Sequence, residues 1–222
     1  MTPGESASIN TQDRESVLST YQAGLFEEFP TVIDHTFSSA VRIQLDETSW
    51  IEYVPMWISG SESLFKDLLR CAPWQLRTRW MYTQDVIEPR LTAQYSHVSQ
   101  APESIMSEIT ASLARRYASL YTSLWMNLYR SHHDSTAWHG DRIGRVTPDC
   151  IVPVLSLGAT RRFLIQPSEG GKSLTFHPAS GDLIVMGGRC QVDWRHCVPK
   201  QATASGPRIS INFKPSTNST QS

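Results

Sequence analysis

Residues 150–166 read CIVPVLSLGATRRFLIQ, two short apolar runs rich in β-branched residues and broken by Gly158-Ala159-Thr160. Runs this short, closed off by turn residues, predict strands rather than helices. The same texture continues on both sides: SLWMNLYR (123–130) and TAWHGD (136–141) precede it, and SLTFH (173–177), DLIVMGG (182–188), QVDWRHCV (191–198) and RISINF (208–213) follow. Eight short strands in about 90 residues describe a sandwich, a jelly roll or a barrel.

Upstream the pattern is mixed. PTVIDHTFSSAVRIQLDETSWIEYVPMWI (30–58) predicts one or two strands. Ser59 with Glu62 fits a capping box ahead of Leu64, Phe65, Leu68 and Leu69, and Cys71-Ala72-Pro73 ends that helix. After Pro102 the spacing of Ile105, Ile109 and Leu113 predicts a second amphipathic helix, with Arg115 and Arg116 in its last turn. Helices followed by a compact β core make an α+β chain. Its expected parts are a polar, flexible segment over 1–28, a helix-bearing extension over 29–120, the β core over 121–214 and a tail over 215–222.

With 222 residues, 40% of them apolar, the chain is long enough for one sizeable domain. No apolar run approaches the roughly 18 residues of a membrane span, and residues 1–20 are polar and acidic, so a cytoplasmic protein without a membrane partner is expected, as a monomer. Cys71, Cys150, Cys190 and Cys197 form no CxxC, which excludes a zinc ribbon and a disulfide scaffold. A net charge of -1 argues against a polyanionic partner until the chain is divided. Residues 1–70 carry 11 acidic and 4 basic residues, whereas 71–222 carry 10 and 16. Of the 20 bases 16 are Arg, whose planar fork suits phosphates and carboxylates.

His139-Gly140-Asp141 is an HxD triplet in a strand-like run, so period 2 would put imidazole and carboxylate on one face, in reach of one metal. His196, on a later strand, adds a second imidazole. Two His and a carboxylate leave three metal positions open, as in non-haem iron(II) oxygenases, and Arg208 on a neighbouring strand can clamp a diacid cosubstrate. The competing reading of His196 is a satisfied core histidine. A second triplet, His132-His133-Asp134, sits in the polar run SHHDST and is expected to be solvated. Gly170-Gly171-Lys172 and Gly187-Gly188 read as hairpin turns, Cys190 and Cys197 lack the further ligand a zinc site needs, and no GxSxG elbow is present.

Four blocks in order, NLYRSHHDSTAWHGD (127–141), VLSLGATRRFLI (154–165), GDLIVMGGRCQVDWRHCVPK (181–200) and PRISINFK (207–214), resemble the AlkB family of iron(II)- and 2-oxoglutarate-dependent dioxygenases. A fainter echo lies at EPRLTAQY (88–95). The resemblance implies a double-stranded β-helix, or jelly roll, with N-terminal helices and a substrate-recognition lid. It implies that His139, Asp141 and His196 ligate Fe(II). Asn127 and Tyr129 match the family's Asn-x-Tyr contacts to 2-oxoglutarate, and Arg208 matches the first Arg of its RxxxxxR signature. Ser210 and Asn212 share that strand face, and Lys214 stands where the second Arg would be, keeping charge without the bidentate fork.

What the resemblance implies chemically is oxidative removal of alkyl groups from nucleobases of DNA or RNA, consuming 2-oxoglutarate and O2 and releasing succinate, CO2 and aldehyde. Where several members carry an acidic residue after the HxD, this chain has Arg142, so the same core acting on a protein side chain or small molecule is the alternative. A silent nucleic-acid binding module is the other. Aromatics interleaved with Arg before the core suggest the lid, with Tyr82, Arg90, Tyr95 and Arg142 as substrate contacts and Arg77 and Arg79 as phosphate contacts. Trp74 and Trp80 are expected to belong to the core.

Overall fold

The computed structural model describes residues 30–81 and 84–216. Its centre is an eight-stranded antiparallel sheet in the order β2-β3-β12-β9-β14-β7-β6-β5. These strands are β2 (Val41–Gln44), β3 (Ser49–Val54), β5 (Gln75–Met81), β6 (Gln84–Tyr95), β7 (Tyr121–Tyr129), β9 (Val152–Gly158), β12 (Leu183–Gly188) and β14 (Arg208–Pro215). A four-stranded sheet, β11-β10-β13-β8, faces it, built from β8 (Thr136–His139), β10 (Phe163–Pro167), β11 (Leu174–Phe176) and β13 (Trp194–Val198). The short pair β1 (Val32–Ile33) and β4 (Ile58–Ser59) stands apart. Two facing antiparallel sheets sharing one chain this way form a jelly roll, one of the three architectures that the strand count allowed and the one that the resemblance implies.

Period 2 sorts the large sheet into two faces. Leu124, Met126, Leu128, Leu155, Leu157, Ile209, Ile211 and Phe213 pack with Leu64, Phe65 and Leu68 of helix α1 (Ser61–Cys71) and with Met106, Ile109 and Leu113 of helix α2 (Ile105–Tyr117). The alternate residues face the small sheet, where Val152, Val154, Ile184 and Met186 meet Phe163, Ile165 and Val198. This second layer is apolar at one end and opens into a polar pocket at the other.

Several expectations change. Segment 29–120 is not set apart from the β core, because β3 pairs with β12 and β6 with β7 in one sheet. Segment 30–58 holds four short strands rather than one or two. No capping box forms at α1: its N-cap is Gly60 in the left-handed region, and Ser61 Oγ pairs with Ser180 Oγ instead. Residues 190–193 form one helical turn, α3 (Cys190–Asp193), before β13 starts. Gly187 lies within β12, where a Cβ would stand 2.0 Å from the Trp50 ring, so its smallness serves close packing rather than a turn. Asp134 is buried, not solvated, and takes the Arg130 guanidinium at 2.8 and 2.9 Å. The segment 1–28 and residues 217–222 of the tail lie outside the described residues.

Candidate active site

Antiparallel pairing of β8 with β13 places His139 directly across from His196. β8 stops at His139, and Asp141 is the extended residue (φ -69, ψ 144) that opens a 3-10 turn over Arg142–Arg145. The carboxylate therefore reaches the histidines through a turn, not along one strand face. Asp141 Oδ1 lies 3.7 Å from His139 Nε2 and 3.9 Å from His196 Nε2, and the three ligand atoms all fall within 4.8 Å of one another.

The surroundings hold that geometry. His139 Nδ1 donates to the Ala137 carbonyl at 2.8 Å, which leaves Nε2 as the lone-pair nitrogen facing Asp141. The Asp141 N–H donates to Gln191 Oε1 at 2.7 Å. Gly140 passes so close to α3 that a Cβ would stand 2.3 Å from the Gln191 carbonyl oxygen. Phe163 stacks on the His196 ring, centroids 5.4 Å apart at 21°. Burial first, and then the neighbouring His196, hold His139 down at about 4, while burial holds His196 at about 4. Both imidazoles are thus neutral at neutral pH, the form that ligates metal. Burial raises the Asp141 carboxyl, and its Oδ2 has no hydrogen-bond partner among the described residues. A buried carboxylate faced by two neutral imidazoles, with an orphaned oxygen, is the environment a divalent cation would complete, and the donor set fits Fe(II).

The other half of the pocket comes from β7 and β14, whose register sets Arg208 opposite Tyr129 and Ser210 opposite Asn127. Arg208 is 1% exposed and has no carboxylate partner among the described residues. Its Nη2 donates to Ser156 Oγ at 2.8 Å, and its Nε and Nη1 have no hydrogen-bond acceptor among the described residues. A buried guanidinium with two idle donors is costly unless an anion joins it. Asn127 Nδ2 donates to Ser210 Oγ at 3.2 Å, Asn212 Nδ2 to the Trp125 carbonyl at 3.2 Å, and Tyr129 OH lies 2.8 Å from Thr136 Oγ1. These donors beside the His/Asp cluster suit a dicarboxylate that also reaches the metal.

The structure gathers His139, Asp141, His196, Asn127, Tyr129, Arg208, Ser210 and Asn212 around one pocket. Arg90 joins them from inside: its Nε donates to Asn127 Oδ1 at 3.0 Å and its Nη2 meets Glu88 Oε2 at 3.0 Å. It is therefore part of the wall that the pocket shares with the neighbouring groove, rather than a surface residue. Tyr95 points the other way, because it shares strand parity with Leu91 and Ala93 and is buried on the helix face. Arg142 is exposed on the 3-10 turn, and Lys214 is exposed near the end of β14; neither lines the pocket. Arg77 is exposed on β5, and Trp74 packs on the helix-side core with its Nε1 donating to the Leu69 carbonyl. Tyr82 lies outside the described residues, as do the side chains of Arg79 and Trp80.

Sequence reasoning missed Phe163, Thr136, Trp125, Ser156 and Gln191. Two were within reach: Trp125 shares parity with Asn127 and Tyr129, and Ser156 stands opposite Ser210. Phe163 and Gln191 depend on how the small sheet and α3 close over the ligands, which no spacing announces.

A groove of about 480 Å³ adjoins the pocket and shares Arg90, Thr136 and His139 with it. Its walls are Val86–Pro89 at the start of β6, Ala137 and Trp138 of β8, and Cys197, Pro199 and Lys200 at the end of β13. Ile87 is 60% and Trp138 36% exposed there, so the groove presents apolar faces to solvent.

Comparison with known proteins agrees with this geometry. The family described as the 2OG-Fe(II) oxygenase superfamily matches residues 61–214. The chain is 30% identical over 177 residues to the cattle (Bos taurus) protein named alpha-ketoglutarate-dependent dioxygenase alkB homolog 3, covering 71% of this chain and 62% of that one. It is 33% identical over 121 residues to the Arabidopsis thaliana protein named DNA oxidative demethylase ALKBH2, covering 43% of this chain and 38% of that one. Both alignments span less than two thirds of the relative. Among solved structures, OsALKBH1 superposes with a TM-score of 0.57 at 11% identity, covering 78% of this chain and 99% of that chain, a likeness of fold.

Proposed function

The chain belongs to the 2OG-Fe(II) oxygenase superfamily, with AlkB homologues among its relatives, and from that premise we propose that it oxidatively removes alkyl groups from N-alkylated nucleobases of DNA or RNA. The observation that carries the reading is Arg208, a buried guanidinium with two unmatched donors in the pocket that also holds His139, Asp141 and His196. Pocket and groove then divide the work.

His139, Asp141 and His196 would hold Fe(II), which when bound supplies dioxygen activation at the expense of 2-oxoglutarate. Arg208 grips the distal carboxylate of the cosubstrate, and the Asn127, Tyr129 and Asn212 side chains turn it toward the ligands. Phe163, Val154 and Val198 keep that end dry, which strengthens each polar contact inside it. Arg90 stands at the junction, where the target base would enter from the groove. Ile87, Trp138 and Pro199 offer apolar faces for a flipped base and its neighbour, and Lys200 and Arg77 supply cations for phosphate.

Turnover of 2-oxoglutarate tests the reading directly. Succinate release should be stimulated by methylated oligonucleotides and should fall to background in His139→Ala. Turnover that nucleic acid does not stimulate would move the substrate to a protein side chain or a small molecule. Absence of turnover with every oligonucleotide would leave a binding module.

A further inference from the structure

Arg161 is as deeply buried as Arg208, 1% exposed, yet it lies outside the pocket, on the connection between β9 and β10. No carboxylate forms an ion pair with it among the described residues; the nearby Asp134 carboxylate is taken by Arg130. Instead Nη1 donates to the Ser131 carbonyl at 2.7 Å, and Nη2 donates to the Asp134 and Pro199 carbonyls, each at 2.8 Å. Ser131 and Asp134 belong to the turn that leads into β8 and so to His139. Pro199 follows β13, the strand of His196. One planar side chain thus ties the segment before one histidine to the segment after the other.

Tyr129 fills the space between the two buried guanidinium groups. Its ring centroid lies 5.7 Å from Arg161 and 5.4 Å from Arg208, and its hydroxyl reaches Thr136 at 2.8 Å. Cation contacts on an aromatic ring are worth more when desolvated, and neither guanidinium forms an ion pair among the described residues. Thr136 lines both the pocket and the groove, and Pro199 lines the groove.

We propose that Arg161 is a positioning residue that fixes the Tyr129–Thr136 wall of the pocket and thereby sets the affinity for 2-oxoglutarate. The role rests on the cosubstrate reading of the Arg208 pocket given above. Three carbonyls on two separate segments need donors spread over a rigid fork. A lysine keeps the charge but offers one nitrogen on a flexible stem and cannot span them.

The test uses the full chain, anaerobically, with Mn(II) in place of iron, and reads binding by calorimetry rather than turnover. Arg161→Lys should bind Mn(II) as the unaltered protein does and bind 2-oxoglutarate roughly tenfold more weakly, the effect of losing a charged hydrogen bond. In a Tyr129→Phe background the same substitution should add less than about twofold, because the two residues act through one wall. Undiminished 2-oxoglutarate affinity in folded Arg161→Lys, or effects that simply multiply in the double variant, would overturn the role. Parallel loss of Mn(II) binding would also overturn it, reducing Arg161 to general scaffolding. Should the lysine variant fail to fold, Thr136→Val breaks the same wall from its far end and must weaken 2-oxoglutarate while sparing Mn(II); unchanged affinity there refutes the proposal. If the unaltered protein binds Mn(II) but not 2-oxoglutarate, the cosubstrate reading itself fails and this inference falls with it.

Discussion

Along β14, Ile209, Ile211 and Phe213 lie under α1 and α2, while Arg208, Ser210 and Asn212, their alternate neighbours, line the pocket. All six are buried. On the helix face burial is its own reward, because apolar surface leaves water and meets apolar surface. On the pocket face the same burial strips guanidinium and carboxylate groups of water without giving all of them partners. One sheet therefore keeps its stabilising and its binding residues apart by parity alone, so substitutions on the two faces should be separable by what they damage.

The largest separation is expected at Leu113, fully buried under the sheet on α2. Leu113→Ala should cost about 2–5 kcal/mol of stability, seen in chemical denaturation, while the folded fraction binds 2-oxoglutarate normally. A comparable loss of ligand affinity at low denaturant would show that the two faces are coupled. Arg208→Met reverses the pattern. It should weaken 2-oxoglutarate by roughly a hundredfold, as two charge-assisted donors disappear, and leave the Tm unchanged or higher, because a buried charge with idle donors is replaced by an apolar stem. A Tm drop of many degrees would mean that the guanidinium stabilises the ligand-free fold after all.

The smallest effect concerns how the pocket side is fastened. Asp46, in the turn between β2 and β3, accepts hydrogen bonds from Trp194 Nε1 and from the Thr48 and Ser49 N–H groups. Burial works to raise its carboxyl, but these hydrogen bonds prevail and bring it from 3.8 to about 2. The folded value lies below the unfolded one, so the contribution is present above pH 3.8 and is lost as pH falls through about 2. It should amount to less than about 1 kcal/mol at so exposed a site. Thermal scans from pH 5 to pH 2 should fall more steeply in the unaltered protein than in Asp46→Asn, and parallel curves would remove Asp46 from the account.

The two faces also differ in how far the sequence discloses them. Ile209, Ile211 and Phe213 announce a strand by alternation, and Ile105, Ile109 and Leu113 announce a helix by their spacing, because hydrophobic burial imposes a period. The cluster of His139, Asp141 and His196 was legible for another reason: its residue types and order resemble a family. Period 2 along one strand does not account for the cluster, since Asp141 stands past the end of β8 and arrives through a turn. Tyr95 misled because aromatic character was read without parity, which puts it under the helices with Ala93. Arg90 was legible as a substrate contact but not as a neighbour of Asn127, because that contact depends on the pairing of β6 with β7. Arg161 left no signal, because its partners are main-chain carbonyls and any residue can supply one.

The cross-strand pairing of His139 with His196 has a consequence for assembly. Both belong to short strands far apart in the chain, and β8 is an edge strand held in its sheet by β13 alone. A slip of one residue between them would turn a histidine to the outer surface and leave two ligands where three are needed. The cluster cannot form in a chain that has closed with the wrong register, so the candidate site is also the molecule's gauge of its own alignment, and capture of a metal ion there would lock in only the copies that had passed.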